Sequence, residues 1–157
     1  MILIGEMRDH ETASIGVEAS LTGHLVLSTL HTNSAPETIT RLLDLGLDPV
    51  NFSDALLGVL AQRLMRTLCP KCKAPYKPPQ KELDHLVDAY GEEDFKTLNI
   101  DLDTVELMGP VGCTDCGDTG YKGRTGIHEL LIGTNELQAL IYKKAELALI
   151  REQALSD

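Results

Sequence analysis

The chain is poor in aromatic residues: tryptophan is absent, and aromatic side chains make up only 4% of the sequence. Proteins that bind single-stranded nucleic acid stack the bases on aromatic side chains, so this composition disfavours a nucleic-acid partner. Positive charge is also scarce, because 14 Lys and Arg residues are outnumbered by 24 Asp and Glu, which gives a net charge of −10. Such a chain is poorly suited to a phosphate backbone or an anionic membrane surface, although it is compatible with a local nucleotide site.

Long hydrophobic runs are missing as well. No apolar stretch approaches the ~20 residues that a membrane-spanning helix needs, so the sequence predicts no direct membrane insertion. The first residues lack a basic flank before a long apolar region, which predicts that there is no signal peptide. The 157 residues, 43% of them hydrophobic, instead predict one globular domain or a core with a small added module.

Two short apolar segments stand out near the amino terminus. Met1–Glu6 is an apolar row that ends in a carboxylate, and Leu25–Leu27 lies between a glycine and polar residues. Both patterns predict buried strands of a parallel sheet. Open α/β sheets bind ligands at the carboxyl ends of their strands, which is where Glu6 and His31 would lie. Glu6 would then meet the Mg²⁺ of a bound nucleotide through a water, or it would simply mark the exit of the strand into solvent.

Local signals place two helices around these strands. Asp9 is expected to cap a helix over 10–21, which ends before a glycine. Ser34 and Glu37 have the spacing of a capping box, so they predict the start of a second helix. The strand, helix, strand order predicts a βαβ unit.

Four further elements are predicted along the rest of the chain. They are, in order, a helix from Asp48 to about Leu60, a helix over 80–90 ended by an acidic turn at 91–94, a strand over 123–132, and a helical tail over 135–155 bent or broken near Lys144. The segment 62–68 alternates polar and apolar residues, so it is either a strand or a continuation of the helix before it. Its Arg63 and Arg66 are either solvated surface charges or groups that reach a phosphate.

The four cysteines form two close pairs, Cys69 with Cys72 and Cys113 with Cys116. Two thiolates three residues apart on a tight turn can both bind one tetrahedral ion, so the two pairs predict a structural zinc site. The insert between the pairs is longer than in common zinc modules and is expected to carry its own helix. A redox pair would need only one of the pairs, and nothing in the sequence indicates the oxidising compartment that disulfides require.

Four ordered motifs of the chain closely resemble the secretion ATPases of bacterial type II secretion and type IV pilus assembly, in particular the general secretion pathway protein E group. The motifs are Ile4–Asp9 with Glu11–Ala13, Ser20–Asn33, Leu60–Leu64 and Gly123–Glu129. The resemblance covers essentially the whole chain, and the tetracysteine module separates this group from the pilus retraction ATPases.

This resemblance implies an α/β fold that contains part of a RecA-like P-loop ATPase sheet. It implies three regions: residues 1–67 as the C-terminal half of the ATPase core, residues 68–122 as an inserted zinc module, and residues 123–157 as a returning strand and C-terminal helical segment. Members of the family form cytoplasmic hexamers that hydrolyse ATP to drive pseudopilus or pilus assembly. The implied partners are therefore the other subunits of a homohexamer and the secretion platform proteins of the bacterial inner membrane.

The resemblance also implies roles for individual residues. Glu6 would be the Walker B acid near Mg²⁺ and, with His31 near the γ-phosphate, a catalytic residue. Arg8 in the Walker B segment and His24 in the His box would help to bind the nucleotide. Judged without the family, His24 and His31 would be ordinary core or surface histidines. The metal ligands implied by the resemblance are Cys69, Cys72, Cys113 and Cys116.

The sequence departs from the family in lacking a Gly-x-x-x-x-Gly-Lys-Ser/Thr loop and an acidic box before the Glu6 strand. The groups that cradle the phosphates are then missing, so the chain is expected to be the C-terminal part of a longer ATPase and to hydrolyse no ATP alone. ATP and Mg²⁺ would be cofactors of that longer ATPase. Two alternatives stay open: a pilus assembly ATPase, and a zinc-stabilised docking module that acts only through protein contacts.

Overall fold

The computed structural model describes all residues from Met1 to Asp157. The elements in chain order are β1 (Ile2–Ile4), α1 (His10–Leu21), β2 (Val26–Ser28), α2 (Ala35–Asp44), α3 (Pro49–Ala55), β3 (Gly58–Leu68), β4 (Ala74–Tyr76), α4 (Gln80–Tyr90), α5 (Glu92–Thr97), β5 (Leu107–Gly109), β6 (Tyr121–Ile132), α6 (Asn135–Tyr142) and α7 (Leu147–Ser156). The chain forms two compact units, one of Met1–Arg63 with Ile127–Asp157 and one of Leu64–Gly126. None of the helices has the length and apolar character that crossing a lipid bilayer requires.

Strands β1 and β2 pair in parallel, with Ile2 opposite Val26 and Ile4 opposite Ser28, as the βαβ prediction requires. The prediction that both strands are fully buried is wrong, because the side chains of Leu3 and Leu27 are 77% and 47% exposed. Side chains alternate between the two faces of a sheet, and only one face of this two-stranded sheet is covered by α1.

Gly16 of α1 lies close to side chains of the covered face. A Cβ at that position would lie 3.1 Å from the Cδ1 atom of Ile4 and only 2.5 Å from the Cε atom of Met7. A larger residue would therefore displace the end of the Met7 side chain and crowd Ile4. The cap predicted for α1 is confirmed, since the Thr12 amide donates to Asp9 Oδ1 over 2.8 Å.

The second helix also begins as predicted. The hydroxyl of Ser34 accepts a hydrogen bond from the Glu37 amide, and the carboxylate of Glu37 reaches back to accept one from the Asn33 amide. In the usual capping box the returning acid bonds the amide of the cap residue itself, so the box here is displaced by one residue.

The prediction of a third helix that reaches Leu60 is wrong, because α3 ends at Ala55 and Leu56 already has extended backbone. The following residues form the long strand β3, which pairs with β6 and includes the segment 62–68. Backbone hydrogen bonds from Gly133 to Leu57 and from Cys69 to Gly120 bracket this pair. Rising numbers on one strand meet falling numbers on the other, so the two strands are antiparallel.

The unit Leu64–Gly126 contains the antiparallel pair β4–β5 and the two helices α4 and α5. Helix α4 has the predicted bounds and supplies the helix expected between the cysteine pairs. The prediction that the acidic residues after it form only a turn is wrong, because they open the short helix α5. Gly91, with φ of +99°, separates the two helices, and carboxylates in a first helical turn interact favourably with the helix dipole.

The core of the other unit joins α2, α6, α7 and the inner face of β6. Its largest fully buried side chains are Ile39, Leu131, Leu137, Ile141 and Ile150. The predicted break in the helical tail is confirmed between α6 and α7, where Lys144 has φ of +51°. The break lets the two short helices fold back on each other and bury one side of each.

Candidate functional sites

The first candidate site lies at the carboxyl ends of β1 and β2. The loops that follow the two strands are joined by hydrogen bonds from the Met7 amide to the Thr29 carbonyl (3.1 Å) and from the Thr29 hydroxyl to the Gly5 carbonyl (2.7 Å). These bonds bring Glu6 and His31 together, as the predicted sheet edge requires.

Glu6 is the centre of this site. One carboxylate oxygen lies 2.6 Å from Nη2 of Arg8, and the other lies 3.3 Å from Nε2 of His31. The Glu6 side chain is 21% exposed, whereas those of Arg8 and His31 are 76% and 86% exposed. The two nitrogen-bearing groups are thus open to solvent around a more sheltered carboxylate.

The pKa of Glu6 lies below its usual range. The main cause is the hydrogen bond from Arg8; partial burial opposes it, and the positive charges of Arg8 and His31 lower the pKa further. Glu6 is therefore an ionised hydrogen-bond acceptor at neutral pH. A carboxylate of this kind can hold a water of a hydrated Mg²⁺, and the exposed imidazole can donate to an anionic group.

The structure does not bring His24 to this cluster. His24 precedes β2 and so lies at the opposite end of the strand from His31, with its ring Nδ1 within 3.3 Å of the Ala19 carbonyl and 3.4 Å of the Thr22 hydroxyl. These contacts tie it to the end of α1.

A cleft of about 790 Å³ runs beside β2, between that strand and residues 56–63. Most of its walls are apolar, including Val17, Leu42 and Phe52, and His31 and Arg63 lie at its lining too. The hydroxyl oxygen of Ser28 is buried at this cleft without a hydrogen-bond partner.

The two arginines of β3 have different contacts. Arg63 donates through Nη2 to the Asn33 carbonyl over 2.5 Å, beside the His31 loop. The guanidinium of Arg66 lies over the ring of Tyr121, 4.1 Å from its centroid, which is the geometry of a cation–π interaction. Sequence reasoning missed Glu129, whose carboxylate accepts a hydrogen bond from the Ala35 amide.

The second candidate site is the cysteine cluster, in which all four Sγ atoms lie within 4.8 Å of one another. Three of the six separations are 4.0 Å for Cys69–Cys113, 3.9 Å for Cys72–Cys116 and 3.8 Å for Cys113–Cys116. Four sulfurs at ~2.3 Å from one tetrahedral ion would be roughly 3.8 Å apart, so the cluster fits a single metal ion.

Backbone amides surround the sulfurs. Gly112 donates to Sγ of Cys72 over 3.4 Å, while Cys113 and Gly120 both donate to Sγ of Cys116 over 3.2 Å. Desolvation raises the pKa of the Cys116 thiol, but hydrogen bonds from these two amides and from the Cys113 and Cys72 side chains outweigh it and lower the pKa to about 6. Amide donors of this kind orient metal-binding thiolates and spread their negative charge.

An ion-pair network outside the cluster links the two cysteine turns. Asp115 bonds Lys71 over 2.9 Å and Lys122 over 2.5 Å, so a lysine beside the first pair is tied to an acid within the second. These hydrogen bonds lower the pKa of Asp115. Sequence reasoning missed Asp115 and Lys122, because no local pattern in the sequence pairs residues from separate turns.

Comparison with known proteins assigns this arrangement to a family. Residues 1–156 match the family described as Type II/IV secretion system protein. The chain is 51% identical over 145 residues to the Type II secretion system ATPase E of Vibrio cholerae, covering 92% of this chain and 27% of the relative. It is 44% identical over 155 residues to the Type IV pilus assembly ATPase PilB of Myxococcus xanthus, covering 99% of this chain and 26% of the relative.

Solved structures agree on the fold. The chain superposes on the pilus retraction motor PilT with bound ADP at a TM-score of 0.56 and 24% identity, covering 97% of this chain and 31% of that one. The Legionella pneumophila ATPase DotB gives a TM-score of 0.52 at 21% identity, with 98% and 30% covered. The chain thus spans about a quarter to a third of the proteins it matches. Because the matched region runs from the first strand to the last helix, the chain belongs to the Type II/IV secretion system protein family.

Proposed function

We propose that the chain contributes part of the nucleotide site of an ATP-hydrolysing secretion motor. The observation that carries this proposal is the meeting of Glu6 and His31 at the carboxyl ends of two parallel strands, 3.3 Å apart. The family supports it, since the curated relatives include ATPases of type II secretion and of type IV pilus assembly.

Each residue of the cluster has a distinct role in this proposal. Mg²⁺, when bound with ATP, would neutralise charge on the phosphates. Glu6 would accept a hydrogen bond from a water of the hydrated ion, and Arg8 keeps that carboxylate ionised. The exposed imidazole of His31 donates a hydrogen bond to the terminal phosphate. His24 would help to bind the nucleotide from the other end of β2, at a distance from this cluster.

The remaining groups that cradle phosphates must come from a Gly-rich loop, which this sequence does not contain. We therefore expect the chain alone to hydrolyse no ATP. In a complete motor we expect it to work as one of six identical subunits on the cytoplasmic side of the inner membrane, against membrane-embedded secretion proteins. Secretion rather than pilus assembly is favoured, with pilus assembly as the alternative.

We further propose that the cysteine cluster holds Zn²⁺ in a structural role, and that residues 68–122 form a separate module around it. Four thiolates complete a tetrahedral shell and leave no position for a reacting water. The sulfur separations and the amide donors support this assignment. A docking role for the module, without chemistry, is the alternative to a motor role for the whole chain.

A chimeric protein distinguishes the motor role from the docking role. The chain would replace the corresponding region of the Vibrio cholerae relative, and ATP turnover would be measured in the purified chimera. A Glu6→Gln substitution should lower kcat on the order of 10²-fold or more, with Glu18→Gln, an exposed acid of α1, as the matched control. Turnover that survives Glu6→Gln but fails on loss of Cys69 would support the docking role and contradict the motor role.

A further inference from the structure

The position of His31 depends on the loop that carries it. Residues 29–34 form no helix or strand, and the His31 side chain is 86% exposed, so no core packing fixes the ring. The loop is tied at its start by the Thr29 hydroxyl, which donates to the Gly5 carbonyl. What holds the far end of the loop therefore decides whether His31 stays beside Glu6.

Two side chains from the β3–β6 pair form hydrogen bonds with the far end of the loop. Arg63 of β3 donates to the Asn33 carbonyl over 2.5 Å. Glu129 of β6 accepts from the Ala35 amide over 3.0 Å. One charged donor and one charged acceptor thus hold two positions of the same short backbone segment, and hydrogen bonds with one ionised partner are the stronger kind.

The contact with Glu129 also suits the start of α2. The first amides of a helix have no partner within the helix, and a negative charge is stabilised near them by the helix dipole. Ser34 satisfies the amide of Glu37, so Glu129 supplies the acceptor that the helix itself lacks for Ala35. A carboxylate from a distant strand therefore completes the cap of α2.

The neighbouring pair of side chains keeps the two strands aligned at this point. The Gln62 side-chain nitrogen lies 2.8 Å from Nε2 of His128, so the residues just before Arg63 and Glu129 are bonded to each other. Arg63 and Glu129 are therefore presented from one hydrogen-bonded pair of strands, so they can act together on the loop.

We infer that Arg63 and Glu129 are positioning residues that hold His31 against Glu6 through the backbone of Asn33 and Ala35. Their effect on turnover rests on the proposed function, whereas the positioning itself does not require nucleotide. Neither residue contacts Glu6 or His31 directly, because each forms its hydrogen bond with the loop backbone.

The test uses NMR on the 157-residue chain without nucleotide. In the wild type we expect a cross-relaxation peak between the His31 ring and the Glu6 side chain, and slow solvent exchange of the Ala35 amide. Arg63→Met and Glu129→Met keep the length of each side chain but remove its bond. Each should weaken the His31–Glu6 peak at least twofold, and Glu129→Met should also speed exchange of the Ala35 amide tenfold or more.

Conservative variants distinguish this role from a general structural one. Arg63→Lys keeps a charged donor and Glu129→Gln keeps an acceptor, so both should retain most of the peak. Arg151→Met and Glu152→Met, exposed residues of α7, are the matched controls and should leave it unchanged. Folding is checked in every variant by the dispersion of the amide spectrum.

Two results would overturn the inference. One is a His31–Glu6 peak of full intensity in both Met variants. The other, which needs no variant, is a wild-type Ala35 amide that exchanges as fast as an unprotected amide. In the chimera described above, Arg63→Met should lower kcat more than it raises KM. A chimera that never hydrolyses ATP would defeat the proposed function and leave the NMR result standing.

Discussion

Leu130 and Leu131 are adjacent on β6, yet Leu131 is 1% exposed and Leu130 is 62% exposed. Successive side chains of a strand point to opposite faces, so one leucine enters the core with Ile39 and Leu137 while its neighbour faces outward. The pair therefore offers the same substitution in two environments that differ only in burial.

We expect Leu131→Ala to lower the free energy of unfolding by about 2–5 kcal/mol, because it removes buried methyl groups and leaves a cavity. Leu130→Ala should change it by no more than about 0.5 kcal/mol. Urea unfolding of both variants, followed by circular dichroism, measures the difference. Equal effects would mean that β6 does not present these faces in solution.

If the cysteine cluster binds zinc as proposed, replacement of one cysteine should disrupt the unit Leu64–Gly126. Metal binding contributes about 10–16 kcal/mol to the folding of small zinc modules, so Cys69→Ser should reduce the bound metal from one equivalent to near zero and expose this unit to protease. Elemental analysis and limited proteolysis measure both effects. Lys73→Ala, beside Cys72 but without an ion pair, is the control and should retain its metal. A stable, metal-free unit in Cys69→Ser would contradict the prediction.

The ionisation of Glu6 should depend more on Arg8 than on His31, because the hydrogen bond from Arg8 is the largest cause of its lowered pKa. Arg8→Met should raise the pKa of Glu6 markedly and His31→Asn should raise it less, while Arg151→Met leaves it in place. Titration of the Glu6 carboxyl by ¹³C NMR gives all three values. A larger rise of the Glu6 pKa in His31→Asn than in Arg8→Met would contradict the conclusion that Arg8 is the main cause of the lowered pKa.

The lowered pKa of Glu6 also determines how its contribution to the free energy of unfolding changes with pH. Because the folded pKa of Glu6 is lowered, its stabilising contribution is fully present above the unfolded pKa, near 4.5, and is lost as the pH falls through the lower folded value. Wild type and Arg8→Met should therefore differ in stability at pH 6 and converge at strongly acidic pH. A difference that grows on acidification would contradict this sign.

The break between α6 and α7 can be tested at Lys144, which has left-handed backbone with φ of +51°. Glycine tolerates this conformation, so Lys144→Gly should be neutral or should raise the free energy of unfolding by up to about 1 kcal/mol. Lys143, with φ of −80°, is the control, and Lys143→Gly should lower it by about 0.5–1 kcal/mol. A clear loss of stability in Lys144→Gly would show that Lys144 does not have left-handed backbone in solution.

Elements with signals next to them in the chain could be predicted from the sequence. Asp9 marks the start of α1, Ser34 marks the start of α2, and Gly91 marks the end of α4. In each case the group that ends or caps the helix is within a turn of it. The clustering of the four cysteines could be predicted in the same way, since each close pair already predicts a turn whose two thiolates could bind one metal ion.

Features that depend on a distant partner could not be predicted in this way. The extent of α3 is decided at Leu56, where the chain leaves the helix to pair with β6, far along the sequence. The exposure of Leu3 reflects how many strands and helices cover the sheet, which no local pattern states. Glu129 was missed for the same reason, because its partner Ala35 lies in another part of the chain.

The uncovered face of β1 and β2 favours self-association of the chain in solution, and the net charge opposes it. Leu3 and Leu27 are exposed on a short parallel sheet, and exposed apolar side chains favour contact between copies. The net charge of −10 opposes this, since every copy repels every other at neutral pH. Salt at 0.15 M screens the repulsion beyond about 8 Å. Near the isoelectric point of about 4.9 the net charge is close to zero, so the repulsion is lost. A dilute, low-salt, neutral buffer therefore keeps the molecules apart, whereas mild acid brings their leucines together.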